Sequence, residues 1–520
     1  MKTKNLNNTQ TVILLIALMA SLLLSALDST IVGTAMKMIV NDLHGMEYYS
    51  WPFTIYMLCS TIIIPIAGGF ADIFGRKPVF IFGILSFLTG SVLCGTSQGM
   101  IPLILFRGIQ GIGGGILVTG VFTIVADIFP PQKRGKYIGF VTAMFGLASI
   151  IGPLIGGFIT DHLSWRWVFY VNLPIGIVAL LLTLIFLPNY RFTEQKKKID
   201  YLGTITLIFA LVPMLLAFHW AGTEYSWLSL QIVGLFVFSL IMLVLFIFIE
   251  YKASNPIIPL SLFKQRSITV TLFIAFLTNG IMFAAIMYIP YFVQGIIGSN
   301  ATTSGAITTP MMLGLMVSSN ITGFAISKIS NKKLLVTAAF ILISLGAGLL
   351  STMNVATPYY LIIIFMVILG VGIGINMPIA NINVQNSVSM EQLSSATSTV
   401  QFFRNIGSTV GSAIYGTIMI NKMDYGFSKL NLTSIPDNIQ DLLKNPQVIT
   451  SSDSINQIMK HVPVNYIKNF KIILNQAKNV LSVSIQQIFF FCLIISIAGV
   501  ILSFFFKDAP FRTSRERLKK

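Results

Sequence analysis

Fourteen stretches of roughly twenty mainly apolar residues follow one another along the 520-residue chain, and no other feature constrains its fold as strongly. Crossing a hydrocarbon core of ~30 Å takes about 20 helical residues at ~1.5 Å each. The stretches cover 12–36, 50–71, 79–97, 101–125, 137–160, 168–188, 202–220, 228–250, 268–292, 305–327, 334–352, 358–381, 396–420 and 485–506; the thirteenth opens on polar residues that include Thr397, Gln401, Arg404 and Asn405. With 55% hydrophobic and 10% charged residues, the chain lacks the polar surface that a soluble globule of this size needs. The expected class is an all-α polytopic membrane protein.

The net charge of +17 raises nucleic acid or anionic lipid as partners, so the position of the charges decides. Starting from a cytoplasmic amino terminus, inner segments hold 23 of the 34 basic residues, and short outer loops hold two, Lys37 and Arg166. That bias matches the positive-inside rule, predicts both termini in the cytoplasm, and leaves the charge without need of nucleic acid. Lys2 and Lys4 before an apolar run suggest a signal peptide, but the run is too long and holds Asp28 in place of a small-residue cleavage site. It reads as a retained first span. Cys59, Cys94 and Cys492 lie in apolar runs with no metal-ligand or disulfide spacing, and read as core residues.

The chain also repeats itself. Gly69-Phe70-Ala71-Asp72, followed by Arg76-Lys77, is echoed 254 residues later by Gly323-Phe324-Ala325-Ile326, followed by Lys332-Lys333. Gly108, Gly111 and Gly113 find a looser echo in Gly370, Gly372 and Gly374, at an offset near 262. Both offsets fit two six-helix bundles with two helices inserted between them. The predicted domains are a first bundle over 1–190, two inserted helices with linkers over 191–267, and a second bundle over 268–520 that carries a long outer loop, 421–484, and a basic tail. Within that loop, residues 464–483 have helix-like apolar spacing, which suits a surface helix or a cap on the outer mouth.

Ionisable groups inside a bilayer are costly and therefore informative. Asp28 is the one acid deep in a predicted span, and Arg107 and Arg404 are the deep bases. Helical rise puts Asp28 ~12 Å and Arg107 ~9 Å below the outer surface, so the two can pair if their spans are neighbours. Two readings stand: a proton-coupling pair, or a static ion pair that fixes helix packing. Arg404 lies near the inner end of its span with no acid at its depth, and reads as a carbonyl-bonded group at an inner gate or as a substrate or coupling residue. Gly146, Ala148, Gly152-Pro153 and Gly156-Gly157 make the fifth span a hinge or a tight seam.

Taken together, Leu27-Asp28-Ser29-Thr30-Ile31-Val32, Gly69 to Lys77, Arg107-Gly108-Ile109-Gln110-Gly111, and Gly152-Pro153 with Gly156-Gly157 resemble the motif set of the major facilitator superfamily. The fourteen-span count, Trp165 to Phe169 with Asn172 and Pro174, and Phe403-Arg404-Asn405-Ile406-Gly407 resemble its fourteen-span drug:proton antiporters. The resemblance implies a major facilitator fold and roles for matched residues. Asp28 and Arg107 would couple protons; Gly152, Pro153, Gly156 and Gly157 would form the antiporter motif; Asp72, Arg76 and Lys77 would form a cytoplasmic latch. In that latch Asp72 would face the positive end of span 13, and Arg76 would pair with Asp127. The chain departs from the pattern in three places: Gly33 to Lys37 lacks the usual proline, Ala148 replaces a common glycine, and Ile326 replaces the acid of the second latch.

The function implied is export of amphiphilic drugs or other toxic small molecules from the cell by proton antiport, at the cell membrane, by a monomer that contacts lipid and needs no cofactor beyond the proton gradient. With no acid in spans 9 to 14, neutral or monocationic cargo fits better than dicationic cargo. Candidate cavity residues are Tyr56, Asn279, Tyr288, Asn376 and Gln401. Export of one native metabolite, lipid or peptide would look the same in sequence. Against an enzyme or receptor stands the want of any catalytic, phosphate-loop or metal constellation, with His162 and His219 reading as interfacial.

Overall fold

The computed structural model describes residues 7–44, 48–189, 200–222, 224–253, 255–297, 301–329, 331–430, 455, 458–459 and 467–509, less the side chains of Lys37, Pro153, Asp161, 301–306 and 467–468. The long elements are helices: α1 (Asn8–Asp42), α2 (Trp51–Phe74), α3 (Arg76–Thr96), α4 (Met100–Ile128), α5 (Pro131–His162), the short α6 (Trp167–Tyr170) leading into α7 (Asn172–Phe186), α8 (Tyr201–Trp220) and α9 (Leu230–Lys252). After the short α10 (Ser261–Lys264) come α11 (Arg266–Tyr291), α12 (Ala301–Ala325), α13 (Lys332–Leu350), α14 (Tyr359–Ser387), α15 (Leu393–Ser428) and α16 (Ile467–Ser503). Among the described residues there is no strand, only an isolated bridge between Ala221 and Tyr225. Among the described residues twelve helices are long and apolar enough to cross a membrane. The helices α12 and α15 fall outside that set; α12 carries Ser318, Ser319, Asn320 and Thr322, and α15 opens on the buried polar run Ser394–Thr399.

Glycine determines how closely these helices approach. A Cβ at Gly111 or Gly115 would collide with the α2 backbone at Tyr56 or Ser60, and one at Gly113 would collide with α3 at Phe87. The same triplet recurs on α14: Gly370 and Gly374 lie against Met311 and Leu315 of α12, while Gly372 lies against Ala339 and Ile343 of α13. Contacts therefore align Gly370, Gly372 and Gly374 with Gly111, Gly113 and Gly115, an offset of 259 residues. The looser offset near 262 had matched the wrong glycines, because a Gly-rich run can be slid along its echo without an obvious mismatch.

Helices α1 to α5 and α7 pack together, as do α11 to α16. Two seams join the groups, α5 against α12 and α2 against α15. The pair α8–α9 lies along the second seam: Leu207, Leu211 and Leu215 of α8 share a core with Ile62 and Ile66 of α2 and Phe402 of α15. At the end away from the basic loops, a His219 ring nitrogen hydrogen-bonds Thr54 Oγ1 of α2 at 3.0 Å, and Trp227 Nε1 donates to Thr417 Oγ1 of α15 at 2.7 Å.

The predicted outer loop is shorter than 421–484. The helix α15 continues to Ser428, and α16 begins at Ile467, so the apolar spacing of 464–483 belongs to the last long helix and not to a separate cap. At ~1.5 Å per residue each helix exceeds 50 Å, well beyond a ~30 Å hydrocarbon core. Their extensions pair through Met423 and Phe427 of α15 and Phe470, Ile473, Ala477 and Leu481 of α16, all buried. Apart from residues 429–430, 455 and 458–459, the remainder of the loop lies outside the described residues.

The glycine seams yield a stability prediction. Gly111→Val should lower stability by about 1–3 kcal/mol, the usual cost of overpacking, whereas Gly234→Val on α9, where a Cβ meets nothing within 4 Å, should leave the melting temperature unchanged. Thermal unfolding in detergent measures both.

Candidate functional site

Asp28 and Arg107 are both fully buried, and Arg107 Nη1 donates to Asp28 Oδ2 at 2.5 Å. Three further side chains complete the arrangement. Gln110 Nε2 donates to Asp28 Oδ1 at 2.7 Å and to Ser91 Oγ at 2.8 Å, and Gln110 Oε1 accepts from Arg107 Nη1 at 2.7 Å. Asn172 Nδ2 lies 3.3 Å from Asp28 Oδ1 and 3.2 Å from Ser91 Oγ. Arg107 also donates through Nε to the Pro52 carbonyl at 3.3 Å, and its guanidinium sits 4.3 Å from the centre of the Tyr56 ring. Helices α1, α3, α4 and α7 thus each deliver a polar side chain to one point, and α2 supplies the aromatic floor.

The position of Gln110 follows from helical geometry: three residues after Arg107, it shares that residue's face of α4. Gln110 and Asn172 stand inside sequence motifs, yet neither was assigned a role, and Ser91 went unnoticed. A lone serine in an apolar helix bonds its own backbone often enough that sequence cannot reveal a tertiary partner.

Beside this network runs the α1/α5 seam. A Cβ at Gly152 would strike Thr30 Oγ1 and one at Gly156 would strike Thr34 Oγ1, while one at Gly157 would meet nothing within 4 Å. Two of the motif glycines hold α5 against the Asp28 helix, and the third faces away. Thr30 Oγ1 donates to the Ala148 carbonyl across the seam at 3.3 Å. Pro153 falls within α5, but its side chain lies outside the described residues.

A second cluster sits at the basic end. Asp72 Oδ2 accepts from Ser395 N at 3.0 Å and Ser395 Oγ at 2.6 Å, so α2 caps the first turn of α15 with a carboxylate. Asp72 Oδ1 accepts from Arg76 Nη1 at 2.6 Å, and Arg76 Nε donates to Asp127 Oδ2 at 2.8 Å. Gly75, with φ of 95°, makes the turn that points Arg76 back toward both acids. Lys77 stands apart from this chain of charges and donates to the Leu184 carbonyl of α7 at 2.7 Å.

The corresponding place in the other seam is apolar. Ile326, buried, occupies the position of the acid and lies where a Cβ on Gly135 of α5 would go, and the Gly135 and Gly323 backbones meet directly. An acid does reach α13, from the chain's far end: Asp508 Oδ2 accepts from Lys332 N at 2.9 Å, and Asn383 Oδ1 of α14 accepts from Ala509 N at 2.8 Å.

In the second group of helices the candidate residues are held by protein partners. Asn279 Nδ2 donates to Ser408 Oγ at 2.6 Å and to the Arg404 carbonyl at 3.0 Å. Arg404 Nη2 donates to the Met377 carbonyl at 2.7 Å and Nη1 to Gln401 Oε1 at 3.3 Å; Gln401 Nε2 donates to Asn381 Oδ1 at 3.1 Å. Asn376 Nδ2 donates to Thr278 Oγ1 at 3.2 Å, and its buried Oδ1 has no partner among the described residues. Tyr288 packs edge-on to Tyr415 with ring centres 6.3 Å apart. Tyr56 is separated from all of these, bonding Ser25 Oγ at 3.1 Å beneath Arg107.

Residues 18–412 match the Major Facilitator Superfamily. The chain belongs to that superfamily. It is 38% identical over 516 residues to the multidrug transporter protein MdtP of Bacillus subtilis, covering 97% of this chain and 94% of the relative. It is 37% identical to multidrug resistance protein 3 of the same organism, over the whole of both chains. Among solved structures, the proton:xylose symporter XylE superposes with a TM-score of 0.61 at 12% identity, covering 98% of each chain, a likeness of fold. As a major facilitator the chain is a multi-pass membrane transporter and not an enzyme.

At the opposite end of this facilitator, Asp42 Oδ2 accepts from Trp165 Nε1 at 2.8 Å and from Arg166 Nη1 at 3.2 Å. The Trp165 bond, aided by Arg166, holds the Asp42 carboxyl below its usual range. Because the folded-state value is depressed, the tie is complete above about pH 4, the ordinary aspartate value, and is lost as pH falls through the lowered one.

The latch geometry predicts that Asp72→Ala will loosen the α2/α15 seam at the basic end. In a background with Cys59 replaced by alanine, a cysteine introduced at the buried Ser394 should react severalfold faster with an impermeant maleimide when Asp72 is also replaced. Unchanged labelling would show that the carboxylate cap does not hold that seam.

Proposed function

We propose that this facilitator is a fourteen-span drug:proton antiporter of the cell membrane that exports amphiphilic small molecules by alternating access. The long helices α12 and α15 count as spans in this reading: each forms one wall of a seam between the two bundles, where polar side chains face protein and not lipid. Both termini are then cytoplasmic, as are the basic end and the Asp72 latch. The efflux direction is favoured by the full-length likeness to two multidrug proteins.

The observation that carries proton coupling is the Asp28 site. A carboxylate buried in a span is retained at a cost unless it is paired or used, and here it is paired with an arginine that has other acceptors at hand. When Asp28 takes a proton, Arg107 keeps the Gln110 and Pro52 oxygens, so neutralising the acid leaves the guanidinium hydrogen-bonded. A static pair would need no such reserve. In the proposed cycle a proton reaching Asp28 from outside releases cargo outward, and loss of that proton to the cytoplasm resets the transporter.

Inverted vesicles test the reading. Wild-type protein should release protons when given an exported dye, and Asp28→Asn, which keeps the shape and the Arg107 contact, should lose at least 90% of dye-dependent proton movement while still folding. Equal coupled transport in both would remove Asp28 from the mechanism.

A further inference from the structure

Four of the chain's 17 acidic residues, Asp72, Asp200, Glu250 and Glu391, line one hollow of about 360 Å³ at the basic end, where cationic residues otherwise gather. The hollow lies between α2, the inserted pair α8–α9, the linker after α9 and the first turn of α15. The two acids contributed by the inserted pair are the informative ones. Glu250, 3% exposed, spends Oε1 on Ile257 N at 3.0 Å and Ile258 N at 3.5 Å, while its buried Oε2 has no partner among the described residues. Asp200 caps α8 by accepting from Gly203 N at 2.7 Å through Oδ1, and its buried Oδ2 likewise has no partner among the described residues.

A buried carboxylate oxygen left without a donor costs free energy, and two on one cavity, neither with a partner among the described residues, make it receptive to a further donor. The wall offers little from within. Lys264 is its one basic residue, is exposed, and forms no ion pair among the described residues. Tyr251 projects outward, 77% exposed. The oxygens of Asp72 are already taken by Arg76 and Ser395. The rest of the surface includes Phe70, Ile73, Ile257 and Leu260, so the hollow combines donor-seeking carboxylates with apolar walls.

We propose that this hollow is a capture site for an amphiphilic ammonium ion, whose N–H groups reach Glu250 and Asp200 while its apolar body lies against Phe70 and Ile257. The proposal rests on the export reading for its choice of cargo. It adds a cytoplasmic first station, distinct from the Asp28 site, at which the inserted pair supplies the binding charge. A ligand held there touches Ile257, whose main chain packs 3.5 Å from where a Gly69 Cβ would be, and the Asp72–Ser395 cap, so occupancy bears directly on the latch.

The test titrates full-length protein in nanodiscs with dansylcadaverine, a primary ammonium with an environment-sensitive fluorophore, beside neutral N-butyl dansylamide. Wild-type protein should bind the amine saturably. Glu250→Gln and Asp200→Asn, each of which keeps an oxygen for its backbone N–H partner, should weaken it roughly tenfold, the effect of losing one charge-assisted contact, and leave the neutral compound unmoved. Asp424→Asn, which removes an exposed acid on the far extension of α15, should bind the amine as the wild type does. In otherwise intact protein, a cysteine replacing Ser261 on the cavity wall should be protected from maleimide by the amine, which covers the case of a variant that fails to fold. Wild-type affinity in both carboxylate variants, equal weakening by Asp424→Asn, or no protection at Ser261→Cys would each overturn the proposal. Intact binding without dye export would count against the export reading alone.

Discussion

The first bundle is organised around one buried charge. Asp28 cannot remain ionised in a hydrocarbon-depth interior without donors, and it receives them from Arg107, Gln110 and Asn172, which come from two different helices while Ser91 of a third ties the amides together. Removing one partner of such a pair typically costs about 3–5 kcal/mol, because the other is left buried and uncompensated. Glycines of α3 and α5 serve the same end. Gly90 admits the Gln110 backbone and Gly152 admits Thr30, so the helices approach until short polar side chains can span the gap. Polar chemistry and small-residue packing are in this region a single constraint.

The two seams between bundles solve one geometric problem with opposite chemistry. Where α2 meets α15, a carboxylate caps a helix terminus, an interaction that depends on charge and on the donors at the first turn. Where α5 meets α12, Ile326 fits over Gly135 and two glycine backbones touch, an interaction that depends on shape. A proton, an ion or a charged ligand can alter the first and has little hold on the second. The repeat is therefore symmetric in packing and asymmetric in what can trigger it, and the departure at Ile326 is what breaks the symmetry.

Much of this was legible in the sequence, and what was missed has physical causes. Helix positions followed from apolar length, and the meeting of Asp28 with Arg107 followed from equal depth, since a buried charge has few places to find its counterion. Length of apolar run does not report where a helix stops, however. Phe470, Ile473 and Leu481 looked like a separate amphipathic element because α16 changes partner, from bundle and lipid to the α15 stem, without interrupting its turns. Gln110, Ser91 and Asn172 were illegible for another reason: a neutral polar residue in a span has no charge to balance, so its partner can lie on any neighbouring helix. Glu250 is the last residue of the eighth apolar stretch, and only the fold shows that the linker folds back onto it.

The inserted pair changes how the polar seam can open. Its helix α8 buries leucines against α2 and α15 together, it is tied to both at one end through His219 and Trp227, and at the other the linker packs on Gly69. A pair attached to only one wall could ride with that bundle; one attached to both must shear as the bundles rock. Its aliphatic contacts tolerate sliding, because dispersion is weakly directional, but its hydrogen bonds and the Gly69 contact do not. Motion at the latch then has to shift Ile257, and with it the main-chain donors that hold Glu250. The carboxylates of the inserted pair are thus mechanically joined to Asp72.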